Sequence, residues 1–112
     1  MAQTVQELGN VLLYEGTATN DDDTAIETGD VSRFKGFKIM STAGAVDVLV
    51  SLDGTNYATS PHSLDDLTDE LNTPVLVTVA GKVYEFFGHY RKVKVLQNGA
   101  TAATVDLLCY PK

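Results

Sequence analysis

The sequence predicts an all-β protein, either an antiparallel β-sandwich or a jelly-roll-like small barrel with one short helix. Apolar and polar residues alternate along most of the chain, which is the period of half-buried strands. Turn-forming dipeptides separate the alternating runs, and one segment has helical spacing instead. The 112 residues suit one hydrophobic core, so residues 1–112 are predicted to form a single β domain.

The N-terminal third is predicted to contain two strands and a polar excursion. Residues 11–15 and 34–40 are apolar, strand-like runs. Residues 16–32 are rich in Asp, Thr and Gly and have few large apolar side chains, which favours a long loop. We therefore expect residues 1–32 to form a partly extended N-terminal arm or loop region.

Alternating runs dominate the rest of the chain. Predicted strands cover residues 46–52, 75–79, 83–87, 91–95 and 103–110. Turn signals lie next to these runs: Asp53-Gly54 follows the first, Gly81 separates the second from the third, and Asn98-Gly99 is the strongest short-range hairpin signal. These patterns predict about six to eight strands in total.

One segment has the spacing of a helix. Leu64, Leu67 and Leu71 lie three and four residues apart, and Ser63 occupies an N-cap position. Residues 72–74, Asn-Thr-Pro, supply a stop signal. The segment is therefore predicted to form a helix of about two turns that closes one end of a sheet.

Charge and cysteine content exclude several classes of protein. The chain has 15 acidic and 8 basic side chains and a formal net charge of -7, which argues against nucleic-acid binding. Cys109 is the single cysteine, so it has no intrachain disulfide partner, and its phase with Leu107 predicts a core position. No apolar run approaches the roughly 20 residues of a membrane span, and the N-terminus does not resemble a signal peptide. We expect a protein made in a cytoplasm, with no membrane partner.

Candidate catalytic and metal-binding residues are few. His62 and His89 lie in predicted turns, and the chain contains no Gly-x-Ser-x-Gly nucleophile motif. The acidic cluster at residues 21–23 does not have the alternate spacing of an EF-hand calcium loop. We therefore expect a protein without enzymatic activity, cofactor or metal ion.

Two motifs resemble a known class of proteins. Residues 46–54 read Val-x-Val-x-Val-Ser-Leu-Asp-Gly and are followed by Asn56-Tyr57, and residues 90–95 read Tyr-Arg-Lys-Val-Lys-Val. This pattern, over about residues 44–110, resembles small β-sandwich virion structural proteins of tailed bacteriophages, of the head decoration type. The resemblance implies a virion protein that binds the assembled major capsid protein and stabilises the shell, as a homo-oligomer for which a trimer is one option.

Two sets of residues are candidates for partner binding. The apolar N-terminal stretch offers anchors for the capsid, and a basic row late in the chain could dock an acidic partner. These residues are Val5, Leu8, Val11 and Leu12 in the first set and Arg91, Lys92 and Lys94 in the second. Residues 1–32 carry seven acids and no base, so the charge is polarised along the chain, and binding to the particle should weaken with added salt.

An alternative function stays open. The protein could be a tail or fibre β-sandwich module that binds host-surface carbohydrate through its aromatic residues, for which Tyr57 and Tyr84 are the candidates. The chain contains no tryptophan, which reduces its stacking power toward sugars and favours core packing as the role of its aromatic residues.

Overall fold

Two antiparallel sheets contain all ten strands of the described chain. The structure, a computed structural model, describes residues 2–19, 22–71 and 73–111. The strands are β1 (Ala2–Leu8), β2 (Val11–Thr17), β3 (Thr24–Glu27), β4 (Gly36–Thr42), β5 (Ala45–Ser51), β6 (Leu64–Asp66), β7 (Pro74–Val75), β8 (Val83–Phe87), β9 (Lys92–Asn98) and β10 (Thr104–Tyr110). The larger sheet has the order β1-β2-β10-β4-β8-β6-β7 and the smaller one the order β3-β9-β5. The predicted all-β, sandwich-like fold is thereby confirmed.

The core lies between the two sheets and follows the alternation of the sequence. In β10, every second residue from Val105 to Cys109 is fully buried, and the residues between them are half-buried on the opposite face. Burial raises the pKa of the Cys109 thiol to about 12, so the thiolate nucleophile is disfavoured and the predicted core role is confirmed. The smaller sheet contributes branched side chains from all three strands: Ile26, Val46, Val48, Val93 and Val95.

The helix predicted over residues 63–71 is wrong. Leu64 is fully buried in strand β6, whereas Leu67 and Leu71 are 40% and 85% exposed. Asp66 ends the strand by accepting hydrogen bonds on Oδ1 from the N–H and hydroxyl of Thr68. A two-turn helix is marginal on its own, and here the segment pairs with β8 on one side and β7 on the other. Asn72, in the predicted stop signal, lies outside the described residues.

The two turn signals at Gly81 and Asn98-Gly99 do not close hairpins, because the runs on either side of each pair with other strands instead of with each other. β9 belongs to the smaller sheet and β10 to the larger one, so Asn98-Gly99 opens a crossing between sheets, although Gly99 has the expected positive φ. Residues 76–82 connect β7 and β8, two strands of the larger sheet that do not pair with each other, because β6 lies between them. Within this segment the N–H of Thr78 donates to the Val46 carbonyl in β5 of the smaller sheet.

Residues 16–32, predicted as a loop, contain strand β3. Ala25 and Ile26 are fully buried there, and the strand pairs with β9. Gly16 on β2 lies directly under this strand, and its missing side chain lets the two sheets approach closely. Burial of Ala25 and Ile26 and the close approach at Gly16 therefore stabilise β3 as a strand, although the composition of the segment favours a loop.

Asp53 organises the loop that follows β5. Its Oδ1 accepts hydrogen bonds from the N–H groups of Thr55 and Asn56, at 2.8 and 2.7 Å, and from the Ser51 hydroxyl at 3.1 Å. The Asn56 N–H, with the Thr55 N–H next, holds the pKa of Asp53 well below its usual range. The predicted turn at Asp53-Gly54 is present, and the returning chain makes one β-bridge, between Ser51 and Tyr57.

This loop should make stability depend on pH. A carboxylate with a depressed folded-state pKa contributes stability above its unfolded-state pKa of about 3.9, and this contribution is lost as the pH falls through the folded-state value. We expect the melting temperature to drop between about pH 4 and pH 2. The Asp53→Asn variant should show a smaller drop, measured by circular dichroism. Glu7→Gln, an exposed position outside the loop, is the control, and an unchanged acid slope in Asp53→Asn would contradict this account.

Candidate interaction surfaces

The β1–β2 hairpin carries the four predicted apolar anchors. Val5 and Leu8 are 53% and 49% exposed, Val11 is half-buried, and Leu12 packs against the core. In the strand register Val5 lies opposite Tyr14, whereas Leu8 lies opposite Val11. Because Tyr14 and Leu12 face the core, Val5 lies on the inner side of the hairpin, and Leu8 and Val11 lie on the outer side. The four anchors therefore form two pairs on opposite faces.

The outer side of the larger sheet is apolar at its centre. The register places Leu13 beside Leu108, and Met40 beside Val83, on the face turned away from the smaller sheet. These residues line a shallow depression of about 220 Å³ together with Lys38 and Asp106, which lie opposite Leu108 and Met40 in the strand register. We call Leu13, Met40, Val83 and Leu108 the outer apolar face; Leu8 and Val11 lie toward the hairpin end of the same side.

Adjacent apolar residues in two strands indicate this face in the sequence, although alternation alone does not identify it. Strict alternation would put a polar residue next to each buried one, yet Leu12-Leu13 and Leu107-Leu108 are apolar doublets. One member of each doublet packs against the core and the other lies half-buried on the outer side. Two adjacent apolar residues in an otherwise alternating strand therefore indicate apolar side chains on both sides of the sheet.

Polar groups at one end of the outer apolar face hold one another in place. The Tyr110 hydroxyl donates a short hydrogen bond to Glu85 Oε2, and the Lys38 ammonium lies 5.4 Å from the centre of the Tyr110 ring. Burial, together with the Glu85 carboxylate, raises the pKa of the Tyr110 phenol above its ordinary value. Tyr110 therefore stays protonated at neutral pH and keeps this hydrogen bond.

The predicted basic row lies at the smaller sheet, where acidic side chains accompany two of its members. Lys94 Nζ lies 3.9 Å from Glu27 Oε2 and 4.4 Å from the centre of the Tyr57 ring. Arg91 Nε lies 3.8 Å from Asp30 Oδ2, and Lys92 is half-buried on β9. Part of the positive charge of this row is thus compensated within the chain.

Four exposed apolar side chains belong to the stretch of sequence between β6 and β8. Leu67, Leu71, Leu76 and Val79 are 40%, 85%, 52% and 56% exposed. The sequence pattern predicted the first two in a helix and the last two on opposite faces of one strand. These four residues lie outside the strands, in the turns and connecting segments between β6 and β8.

The two histidines lie within the chain's own contacts. His62 Nδ1 donates to the Ser63 carbonyl at 2.7 Å, since a carbonyl can only accept, and His62 Nε2 lies 2.6 Å from the Tyr90 hydroxyl oxygen. The His62 ring also packs 5.0 Å from Phe86. His89 Nδ1 lies 3.2 Å from the Ser32 carbonyl. Both nitrogens of His62 are therefore used in holding the fold together.

Among the described residues, no group of three or more His, Cys, Asp or Glu side chains is arranged to hold a metal ion. The acidic cluster at residues 21–23 is described in part, because Asp21 lies outside the described residues. Asp22 Oδ1 accepts a hydrogen bond from the Thr24 N–H at 2.9 Å, which lowers the pKa of Asp22. This carboxylate is engaged in shaping the turn before β3.

The two tyrosines considered for carbohydrate binding differ in accessibility. Tyr84 is 1% exposed and its hydroxyl accepts a hydrogen bond from the Val79 N–H, so its assignment as a sugar-contacting residue is wrong. Tyr57 borders a depression of about 350 Å³ together with Leu52, Asn56 and Tyr90. Its hydroxyl donates to Glu27 at 2.9 Å, which ties the ring to the smaller sheet.

The fold defines an antiparallel, two-sheet β-sandwich, and the chain is similar in fold to solved structures. The SPBc2 prophage-derived protein YomS superposes with a TM-score of 0.64 over 93% of this chain and 97% of that one, at 11% sequence identity. A structure from Bacillus endospore appendages, which form a family of disulfide-linked pili, superposes with a TM-score of 0.48 over 100% of this chain and 93% of that one, at 14% identity. No protein-family model and no curated protein sequence matches the chain.

In the part of the chain that the structure describes, no helix has the length and hydrophobicity needed to cross a membrane.

Proposed function

We propose that this chain is a structural protein of a bacteriophage virion, a head decoration protein that binds the assembled major capsid protein and stabilises the shell. The observation that carries the proposal is the outer apolar face, because its half-buried apolar side chains lie on the side away from the core and give the sheet a second surface to bury. The virion motifs at residues 46–54 and 90–95 supply the class of partner. The fold shared with a prophage-derived protein agrees with that class.

The geometry suits attachment to a repetitive surface. The seven-stranded sheet is a rigid platform, since the β2, β10, β4 and β8 backbones are paired on both sides. A contact of standard size buries about 800 Å² per partner. The outer apolar face and the polar side chains next to it could supply part of this area. Each such contact is modest, but a shell repeats it many times. Stabilisation then comes from the number of contacts and from the stiffness of the platform.

Residues Leu8 and Val11 extend the proposed contact along the hairpin. They are cross-strand neighbours on the same side as the outer apolar face, so one flat partner surface can touch both regions. Of the predicted anchors, these two belong to this contact. Leu12 belongs to the core, so deleting residues 1–12 would remove core packing as well as the contact, and point substitutions are the sharper test.

Binding to heads assembled without this protein tests the proposal. Leu108→Asp places a carboxylate at the centre of the outer apolar face, and we expect at least about a tenfold weaker association in a sedimentation assay. Leu8→Asp, at an exposed position, tests the same surface without entering the centre of the sheet. Leu52→Asp makes the same change on a 76% exposed leucine of another loop, and its binding should match wild type.

Thermal melting of each variant separates misfolding from lost binding. If folded Leu8→Asp and Leu108→Asp bind heads as tightly as Leu52→Asp does, the outer apolar face is not the contact. If wild type itself fails to sediment with the heads, the decoration function is refuted.

A further inference from the structure

We infer that two copies of this chain pair through the open edge of β1, as antiparallel strands related by a twofold axis at Val5. The pairing joins two larger sheets into one continuous sheet. It goes beyond the proposed function and does not depend on it, because the association is measured on the protein alone.

The β1 edge has the properties of a strand open to pairing. β1 is the first strand of its sheet, bonded to β2 on one side. Residues 3–8 are all exposed, and the seven-residue strand contains no Pro and no Lys, the residues that commonly protect edges. Glu7 is its one charged residue. A long, exposed and nearly uncharged edge of this kind is a template for another strand.

The register determines which backbone groups face the open edge. The Ala18 N–H donates to the Ala103 carbonyl at 3.1 Å, so even-numbered residues of β2 direct their hydrogen bonds toward β10 and odd-numbered ones toward β1. The odd-numbered residues lie opposite the even-numbered ones of β1. The N–H and C=O groups of Gln3, Val5 and Glu7 therefore point away from β2, into the open edge.

These three residues are self-complementary. In an antiparallel pair centred on Val5, Val5 lies opposite Val5 of the second copy, and Gln3 lies opposite Glu7 of the second copy. Each of these pairs exchanges two hydrogen bonds, because the outward groups of both strands meet in register. The 53% exposed Val5 side chains become direct neighbours across the axis, which buries apolar surface as well. A strand with its outward residues placed symmetrically about its centre fits a second copy of itself.

Charge and side-chain contacts also agree with this pairing. Glu7 meets a neutral glutamine, and the two Glu7 residues lie about 14 Å apart along the strands, beyond the screening length of about 8 Å at physiological ionic strength. The Gln3 side chain is held on the neighbouring β3: its amide donates to the Glu27 carbonyl at 2.9 Å and accepts from the Glu27 N–H at 2.8 Å. The Gln3 side chain thus closes part of the β3 edge and leaves the Gln3 backbone available.

Proline at position 5 tests the pairing selectively. Val5→Pro removes an N–H that makes no bond to β2, so the hairpin can form while the central hydrogen bonds of the pair are lost. Analytical ultracentrifugation of the full chain should show a dimer for wild type. Val5→Pro should raise its dissociation constant by at least about tenfold, with circular dichroism confirming the fold.

Val5→Thr is the matched control, since it keeps the N–H and a β-branched side chain; it should remain a dimer. A wild-type monomer over the whole accessible concentration range would refute the pairing, as would a trimer, because a twofold contact does not close a threefold ring. A Val5→Pro variant that folds and dimerises like wild type would place the contact elsewhere. None of these results decides the outcome of the capsid-binding experiment, which measures a different contact.

Discussion

Gly16→Ala is expected to destabilise the protein by about 2–3 kcal/mol, which corresponds to a melting temperature lower by roughly 10 °C. A Cβ at this position would overlap the Ala25 carbonyl oxygen and lie 2.7 Å from Cγ1 of Ile26. Backbone cannot move aside as a flexible side chain can, so β3 must shift away from β2. The shift would loosen the packing of two fully buried residues. Denaturant unfolding followed by circular dichroism measures the loss.

Gly29→Ala is the matched control for this prediction. A Cβ there would have the Tyr14 hydroxyl at 3.9 Å as its nearest contact, and the N–H that bonds this hydroxyl is retained. Its stability should lie within about 0.5 kcal/mol of wild type. Equal destabilisation by both substitutions would contradict the claim that β3 packs against β2 only when position 16 has no side chain.

Phe86→Ala should have the largest effect on stability, a loss of about 3–5 kcal/mol. Phe86 is 2% exposed, stacks on Phe37 with ring centres 4.8 Å apart, and packs against the His62 ring at 5.0 Å. Alanine would leave a cavity among these rings and remove one wall of the site where His62 bonds Tyr90. Chemical denaturation should show the loss directly.

The adjacent Phe87 provides the comparison for Phe86. It follows Phe86 on β8 and points to the opposite side of the sheet, where it is half-buried. Phe87→Ala should cost clearly less than Phe86→Ala because it leaves no enclosed cavity. The reverse order of the two losses would contradict the assignment of inner and outer faces on which the proposed capsid contact depends.

The all-β class and much of the core follow from local pattern. Val46, Val48, Val93 and Val95 alternate in the sequence and are buried as the alternation predicts, because a strand with one face in the core must repeat every two residues. Sheet membership does not follow in this way. Asn98-Gly99 has the local chemistry of a hairpin, yet the strands on either side of it belong to different sheets. That choice depends on packing between residues distant in sequence.

The helix prediction failed for a related reason. Leu64, Leu67 and Leu71 satisfy helical spacing, but Leu64 is needed in the core beside β8, and the hydrogen bonds of Asp66 to Thr68 turn the chain immediately afterwards. Tertiary pairing outweighs the weak propensity of a two-turn helix. Helical spacing alone therefore gave the wrong element here, because it does not include the pairing of β6 with β8.

The candidate site could be predicted in part. Composition and position indicated Leu8 and Val11, which lie on the proposed contact side. Leu13 and Leu108 were not singled out, because an apolar residue beside a buried one reads as part of the core when strand faces are unknown. The basic residues Arg91 and Lys94 looked available in the sequence, and distant acids compensate them only once the fold places Asp30 and Glu27 beside them.

Quantitative mass spectrometry of purified phage particles, combined with chemical cross-linking, tests the central claim most directly. On the proposed function, a phage or prophage genome encodes this chain, and its particles are the sample. We predict that the chain is present in many copies per particle and that its cross-links run from the side bearing the outer apolar face to the major capsid protein. Particles of full composition that lack the chain, or that carry it cross-linked only to tail proteins, would contradict the claim.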